Sequence, residues 1–107
     1  MKRTKELSPR RQELIDVARA MLDGKMHLIE GVRKMASLRY DIGEPDDPIF
    51  HPILAIDSET DRFPLGQVRE RYAPDALARI DQEMDRYLAD ARDDILSACK
   101  QIVRAFG

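Results

Sequence analysis

The sequence predicts an all-α fold in which a helical hairpin and a long C-terminal helix form a small bundle, with a proline-rich acidic loop packed across it. Apolar residues recur at helical spacing through residues 9–42 and again through residues 74–106. Between these segments, residues 43–66 contain four of the six prolines. At 107 residues the chain is long enough for one core and too short for two. We therefore expect a single domain over residues 1–107, with a disordered tail at residues 1–7.

The first two helices are predicted to form the hairpin. Ser8 followed by Pro9 is typical of a helix start, because the hydroxyl caps the first turn and a proline there gives up no hydrogen bond. Gly24 ends this helix. A second helix follows over about residues 26–42, where Gly43 stops it. Two helices joined by so short a turn fold back on each other, so the hairpin is antiparallel.

The segment after the hairpin is predicted to be a loop that is irregular over residues 44–52. Pro45, Pro48 and Pro52 each exclude a helix interior and favour extended geometry in the residue before them. Apolar side chains should hold this loop, residues 44–65, against the bundle, with a short helical turn at 49–55 as one way to do so. These side chains are Ile49, Phe50, Ile53, Leu54 and Ile56. A short helix is expected at residues 67–72.

The last helix is predicted to run without interruption from Pro74 to Phe106. At about 1.5 Å per residue it would be roughly 50 Å long, longer than either hairpin helix. It therefore either kinks near residues 89–94 or extends past the bundle and meets a partner. Its single cysteine, Cys99, lies on the apolar face and is expected to be a buried, inert thiol. The predicted core contains Leu14, Ala18, Met21, Val32, Met35, Ile53, Leu88, Ile95 and Ile102.

Composition limits the classes of function. The net charge of −2 and pI of about 5.7 disfavour nucleic acid as the main partner. No run of about 18 apolar residues predicts a membrane span, and the basic start MKRTKELSPRRQE lacks the apolar segment of a signal peptide. We therefore expect a cytoplasmic protein that does not act on membranes. Neither a G-x-G-x-x-G motif nor a P-loop is present, so no cofactor is predicted.

Charge is segregated along the chain. Seven acidic residues and no lysine or arginine lie between positions 41 and 61. Asp57, Glu59 and Asp61 have the alternating spacing of the first three ligands in a calcium-binding EF-hand loop. The rest of the motif does not match, because Arg62 stands at the position of its glycine and Val68 at the position of its bidentate glutamate. An EF-hand is therefore excluded. Two interpretations of the three carboxylates remain open, and they are compatible with each other. In the first, the carboxylates cap turns, as Ser58 with Asp61 would in a capping box. In the second, they form an exposed patch that binds a basic partner.

Metal binding and catalysis are the alternatives to such a patch. A looser divalent-ion site would use Asp57, Glu59, Asp61 and His51, since hard cations prefer carboxylate oxygens. His51 beside an aspartate could act as a general base, but no activated nucleophile or oxyanion-hole motif accompanies it. The sequence therefore predicts a protein with no catalytic residues, that is, not an enzyme.

Three fragments, GEPDDP, AIDSETDRFPLGQVR and YAPDALARID, carry a family resemblance. With them the chain resembles a group of small bacterial helical proteins of unassigned function. That group shares an E-G-x-R motif like Glu30 to Arg33, a D-S-E-T-D-x-x-P segment like Asp57 to Pro64, and a closing long helix. The resemblance covers most of residues 12–106 and implies a compact bacterial helical domain. In size, acidity and helix count the chain is also similar to the immunity proteins that neutralise nuclease toxins, although no motif is shared.

These observations predict a non-enzymatic bacterial interaction protein that presents its acidic segment to a basic protein partner, with an immunity-type inhibitor as the specific form. The predicted partner-binding residues are Asp46, Asp47, Phe50, Asp57, Glu59, Asp61, Phe63 and Tyr72, the aromatic ones as apolar anchors. The first alternative is a small metal-binding protein or metal-assisted enzyme that uses the carboxylates and His51. The second is a structural homodimer formed through the C-terminal helix.

Overall fold

The all-α prediction is confirmed in a computed structural model, which describes residues 8–107. The expected disordered tail at residues 1–7 lies outside the described residues. The α-helices are α1 (Pro9–Leu22), α2 (Leu28–Asp41), α3 (His51–Thr60) and α4 (Pro74–Phe106), and 3-10 helices span Pro48–Phe50 and Gly66–Arg71. Residues 8–107 contain no β-strand. No helix within this range is both long and apolar enough to cross a lipid bilayer.

The hairpin of α1 and α2 forms as predicted. The Ser8 hydroxyl accepts a hydrogen bond from the amide of Arg11 at 3.1 Å, and Gly24 adopts the left-handed conformation with φ of 72°. Helix α2 begins two residues later than predicted because His27 is its N-cap, with Nδ1 accepting from the amide of Ile29 at 3.2 Å.

Gly31 is a glycine because of packing. A Cβ atom at this position of α2 would overlap the side chain of Met21 on α1, which is itself only 1% exposed. The absence of a side chain therefore lets the two hairpin helices approach closely, and Met21 fills the space. This packing gives a physical reason for a glycine at position 31.

The predicted loop at residues 44–65 is largely helical, because a 3-10 helix at Pro48–Phe50 leads into α3 at His51–Thr60. This corrects the irregular geometry expected over residues 44–52, and the helical turn expected at 49–55 is part of a longer helical segment. Pro48 lies in the first turn of a 3-10 helix whose N-cap is Asp47, and Pro52 lies in the first turn of α3. A proline is excluded from the interior of a helix, but the amide it lacks has no partner in the first turn. The prolines therefore start helical segments here. The short helix expected at 67–72 is a 3-10 helix, Gly66–Arg71.

The four α-helices form a ring around one core. Helix α1 packs on α2 and α4, and α3 closes the ring between α2 and α4. All nine residues of the predicted core are buried. Cys99 is fully buried, as predicted, and burial raises the pKa of its thiol to about 11. The thiolate is therefore scarce at neutral pH, which is consistent with the inert thiol expected from the sequence.

Helix α4 is unbroken and extends past the bundle. Its first buried side chain is Met84, and Ile80 is partly buried against the core, so the first turns before Ile80 project. The molecule measures 55 × 25 × 25 Å. The Arg69 guanidinium supports the base of the projecting part by donating to both carboxylate oxygens of Asp81, at 2.9 and 2.7 Å. These hydrogen bonds, with the charge of Arg69, lower the pKa of Asp81 from its usual value. A homodimer formed through α4 stays a prediction.

Candidate functional site

The three alternating carboxylates do not form one surface. Because they lie at the end of helix α3, where successive residues are about 100° apart, side chains two positions apart point in nearly opposite directions. Glu59 therefore faces α4, whereas Asp57 and Asp61, four residues apart, share the opposite flank. The capping box predicted for Ser58 is also absent, since Ser58 lies inside the helix.

The C-terminal end of α3 is stabilised by an arginine from α2. Arg33 donates from Nη2 to the carbonyl oxygens of Thr60 and Phe63, both at 2.6 Å. A helix C-terminus carries partial negative charge, so carboxylates there are unfavourable, and no basic residue lies in the last turn of α3. Arg33 offsets this. Arg33 of α2 thus contacts the end of α3 directly. Local helix stability does not explain the carboxylates there.

Phe50 and Phe63 are not exposed anchors, and this part of the prediction was wrong. Both rings are fully buried. Phe50 packs against Phe106 with ring centroids 5.9 Å apart, and Phe63 packs edge-on against Tyr87 at 6.3 Å. The two phenylalanines flank α3 and fix its ends to the core, because a ten-residue helix buries few side chains of its own.

The other predicted site residues are far apart. Asp46 is exposed, and Asp47 is occupied as an N-cap, accepting from the amide of Ile49 at 2.9 Å. Tyr72 is 39% exposed and lies just before α4, near its projecting end. These residues do not share a surface with Glu59, because Asp46 and Asp47 precede α3 and Tyr72 lies beside the far end of the 55 Å molecule.

The alternative metal site does not assemble in the described part of the chain. His51 is the first residue of α3 and Asp61 follows its last, so about 15 Å of helix separates them. Across residues 8–107, no group of three or more histidine, cysteine, aspartate or glutamate side chains is arranged to hold a metal ion.

A groove with a volume of about 600 Å³ lies between α3 and α4. Helix α3 contributes Pro52, Ala55, Ile56 and Glu59. Helix α4 contributes a stripe from Tyr87 to Gln101, whose members lie three or four residues apart and so occupy one face. We call this cavity the α3–α4 groove. Small or apolar side chains form its floor: Ala55 and Ile56 from α3, and Ala91 and Ala98 from α4.

Three carboxylates rim the α3–α4 groove: Glu59 from α3, and Asp90 and Asp94 from α4. None of the described residues that line the groove is a lysine, arginine or histidine. Glu59 is held in position because its Oε1 accepts a hydrogen bond of 2.6 Å from the hydroxyl of Tyr87. The groove is therefore negatively charged, with an apolar floor.

The negative charge of the groove affects the pKa of Tyr87. Its pKa is raised to about 12, first by burial, then by the hydrogen bond to Glu59 and the charges of Glu59 and Asp94, all of which disfavour a second negative charge. The folded chain thus keeps the phenol protonated at pH values above 10.0, the pKa of the unfolded chain. The free energy of unfolding should fall as the pH rises from 10 toward 12.

Replacing Asp94 with asparagine is expected to lower the pKa of Tyr87, because it removes one of the charges that disfavour the phenolate. Tyrosinate absorbance, measured against pH and compared with the Tyr87→Phe variant, isolates this one residue. Asp93→Asn is the matched control, since Asp93 is exposed and does not line the groove. Equal shifts in both aspartate variants would contradict a local field in the groove.

Sequence reasoning found Glu59 but missed Asp90 and Asp94. From the sequence, the charged residues of α4 were given no role in binding. One signal was available: Tyr87, Asp94 and Gln101 recur every seven residues beside the core positions Leu88 and Ile95, and Ala91 and Ala98 do the same. That spacing predicts a second stripe, of small and acidic residues, along the apolar one.

The polar groups that line the α3–α4 groove in the described structure are three carboxylates, the Tyr87 phenol, the Ser97 hydroxyl and the Gln101 amide. A scan against protein-family models finds no match, and searches of curated proteins and of solved structures find no similar chain. The function must therefore be argued from the geometry of the α3–α4 groove.

Proposed function

We propose that this chain is a non-enzymatic interaction protein that binds a basic protein partner through the α3–α4 groove. The observation that carries the proposal is the juxtaposition of Glu59, Asp90 and Asp94 around an apolar floor, without a basic side chain among the described lining residues. Carboxylates placed together without counter-ions repel one another, and a cationic partner relieves that repulsion.

The apolar floor supports a protein partner over a small cation. Protein interfaces combine a desolvated apolar centre with charged groups at the rim, and the α3–α4 groove has this arrangement. A volume of about 600 Å³ accommodates several side chains. Because Glu59 is already fixed by Tyr87, it loses little conformational freedom when it pairs with a lysine or arginine.

An immunity-type inhibitor of a bacterial nuclease is the specific form that we propose. A nuclease binds phosphate through lysine and arginine side chains, and carboxylates that pair with these side chains would occlude its substrate site. The acidity of residues 41–61 and the small helical bundle support this form. A regulator of another basic protein would use the same groove, so the capture experiment identifies the partner.

Charge reversal in the groove is expected to abolish partner capture. The tagged Asp90→Lys, Asp94→Lys double variant and the wild type are used as baits in lysate of the organism that encodes the chain, and the bound proteins are identified by mass spectrometry. A basic protein retained by the wild type should be lost with the variant, because the rim then repels its lysines and arginines.

The matched control for this capture is the Asp85→Lys, Asp93→Lys double variant. It makes the same change in net charge on exposed α4 positions outside the α3–α4 groove. It should retain the partner. The same bound proteins from all three baits would contradict the proposed function.

A further inference from the structure

The partner's binding segment can be identified from the walls of the α3–α4 groove. These walls are two antiparallel helices, since Glu59 near the end of α3 contacts Tyr87 early in the described stripe of α4, while Phe50 before α3 contacts Phe106 at the end of α4. A groove between two packed helices has the shape that receives a row of side chains from a third helix.

The floor of the groove leaves room for such a row. Ala55, Ala91 and Ala98 present only methyl groups, so larger apolar side chains from a partner can enter between α3 and α4. The contacts of α3 with α4 are also sparser than those at the other adjacent pairs of the ring. From Tyr87 to Gln101 the groove extends for about 21 Å along α4, which matches a partner helix of roughly 14 residues.

The rim charges have helical spacing. Asp90 and Asp94 are one turn apart on α4, and Glu59 lies on the opposite wall. Lysine or arginine residues placed one turn apart on a partner helix would pair with the two aspartates, while apolar residues between them enter the groove. The rim charges and the apolar floor thus both favour a partner whose residues repeat with the spacing of an α-helix.

Other modes of peptide recognition do not fit this groove. Addition of a β-strand needs an exposed sheet edge, and residues 8–107 contain no strand. Polyproline segments bind grooves lined by several aromatic rings, whereas Tyr87 is the sole aromatic residue among the described lining residues. A partner helix needs neither a sheet edge nor several aromatic rings, because its backbone hydrogen bonds are internal.

We propose that the α3–α4 groove binds a basic amphipathic α-helix of the partner, with an apolar stripe on the groove floor and lysine or arginine residues on Glu59, Asp90 and Asp94. This inference rests on the proposed function, since it specifies the partner of the same groove. It also predicts that binding depends on the pattern of the partner's residues as well as on its charge.

The test uses two fluorescent synthetic peptides of about 18 residues, long enough to cover the 14 or so residues of the groove with a turn to spare. Both contain the same lysines, leucines and alanines. In the first, leucines recur at helical spacing as one stripe flanked by lysines; in the second, the order is scrambled so that no stripe forms. We expect the patterned peptide to bind the wild type at least about tenfold more tightly in fluorescence anisotropy, a difference of about 1.4 kcal/mol.

Two pairs of variants localise the binding. Asp90→Lys with Asp94→Lys should weaken binding of the patterned peptide at least about tenfold more than Asp85→Lys with Asp93→Lys does. Ala55→Arg, which fills the groove from α3 and adds positive charge, should weaken it more than Ala89→Arg, an exposed change on α4 outside the groove. Circular dichroism of each variant verifies that the fold is kept.

The outcomes separate the inference from the proposed function. Equal binding of the patterned and scrambled peptides, each weakened by the groove variants, would overturn the helix and leave a basic partner in place. Failure of both peptides to bind the wild type at low salt would overturn the helix and would also count against a basic partner. Equal weakening by groove and control variants would show that the peptides bind elsewhere, and would overturn the inference.

Discussion

Replacing Phe63 with alanine is expected to lower the free energy of unfolding by about 3–5 kcal/mol, as removal of a fully buried aromatic ring does. The ring is 0% exposed and packs edge-on against Tyr87 at 6.3 Å. The Arg62 guanidinium also lies over the Phe63 ring, 4.4 Å from its centroid, while donating to Glu83 on α4 at 3.1 Å. Truncation would therefore leave a cavity and loosen the contact between the end of α3 and α4.

Urea denaturation of the variant measures this loss, and Tyr72→Ala is the matched aromatic control. Tyr72 is 39% exposed, so its truncation should change stability by less than about 1 kcal/mol. The comparison also tests the correction made above, because the sequence assigned both aromatic residues the same role as anchors for a partner. A loss below about 1 kcal/mol for Phe63→Ala would contradict its assignment as a core residue.

The core was predictable because its signal is local. Residues three and four apart share a helix face, so apolar periodicity predicts buried positions without knowledge of the partner helix. Leu14, Val32 and Ile95 are examples: each is 0% exposed in the structure. The hairpin was predictable for a similar reason, since a short turn at Gly24 leaves its two helices no other arrangement.

The full length of helix α3 was not predictable from the same signals, because its start is ambiguous in the sequence and only a short turn at 49–55 was expected there. Pro48 and Pro52 exclude a helix that surrounds them but are compatible with one that begins at them. What selects the helix is tertiary: Ile53 and Ile56 are buried between α2 and α4, and Arg33 stabilises the C-terminal end. Propensity alone is too weak to stabilise a ten-residue helix in water.

Because the segment of α3 was treated as a loop, the prediction of the binding surface was also wrong. On a loop, Asp57, Glu59 and Asp61 can face outward together, whereas a helix divides them between two flanks. The contribution of α4 was missed for the same reason, since Asp90 and Asp94 look like solvated surface unless a neighbouring helix is known to pass beside them. A groove is a relation between two elements, so it could not be inferred from either one.

Replacing Arg33 with methionine is expected to lower the free energy of unfolding by roughly 2–4 kcal/mol, because a hydrogen bond from a charged group contributes about 1.5–3 kcal/mol. Methionine keeps the aliphatic packing of the side chain but removes both donations, to the carbonyl oxygens of Thr60 and Phe63. The negative end of α3 would then carry its carboxylates without compensation. Hydrogen exchange should accelerate first at the amides of residues 57–60, and urea denaturation gives the global loss.

Lys34→Met is the neighbouring control for this variant. Lys34 is 48% exposed and forms one ion pair, at 3.4 Å from Glu30, so its loss should change stability by at most about 0.5 kcal/mol. Arg33→Lys should recover part of the stability, since an ammonium keeps the charge but lacks the planar guanidinium. If Arg33→Met were no more destabilising than Lys34→Met, the end of α3 would be held by its apolar contacts alone. The position of Glu59 in the groove would then depend on Phe63 and Tyr87 rather than on the arginine of α2.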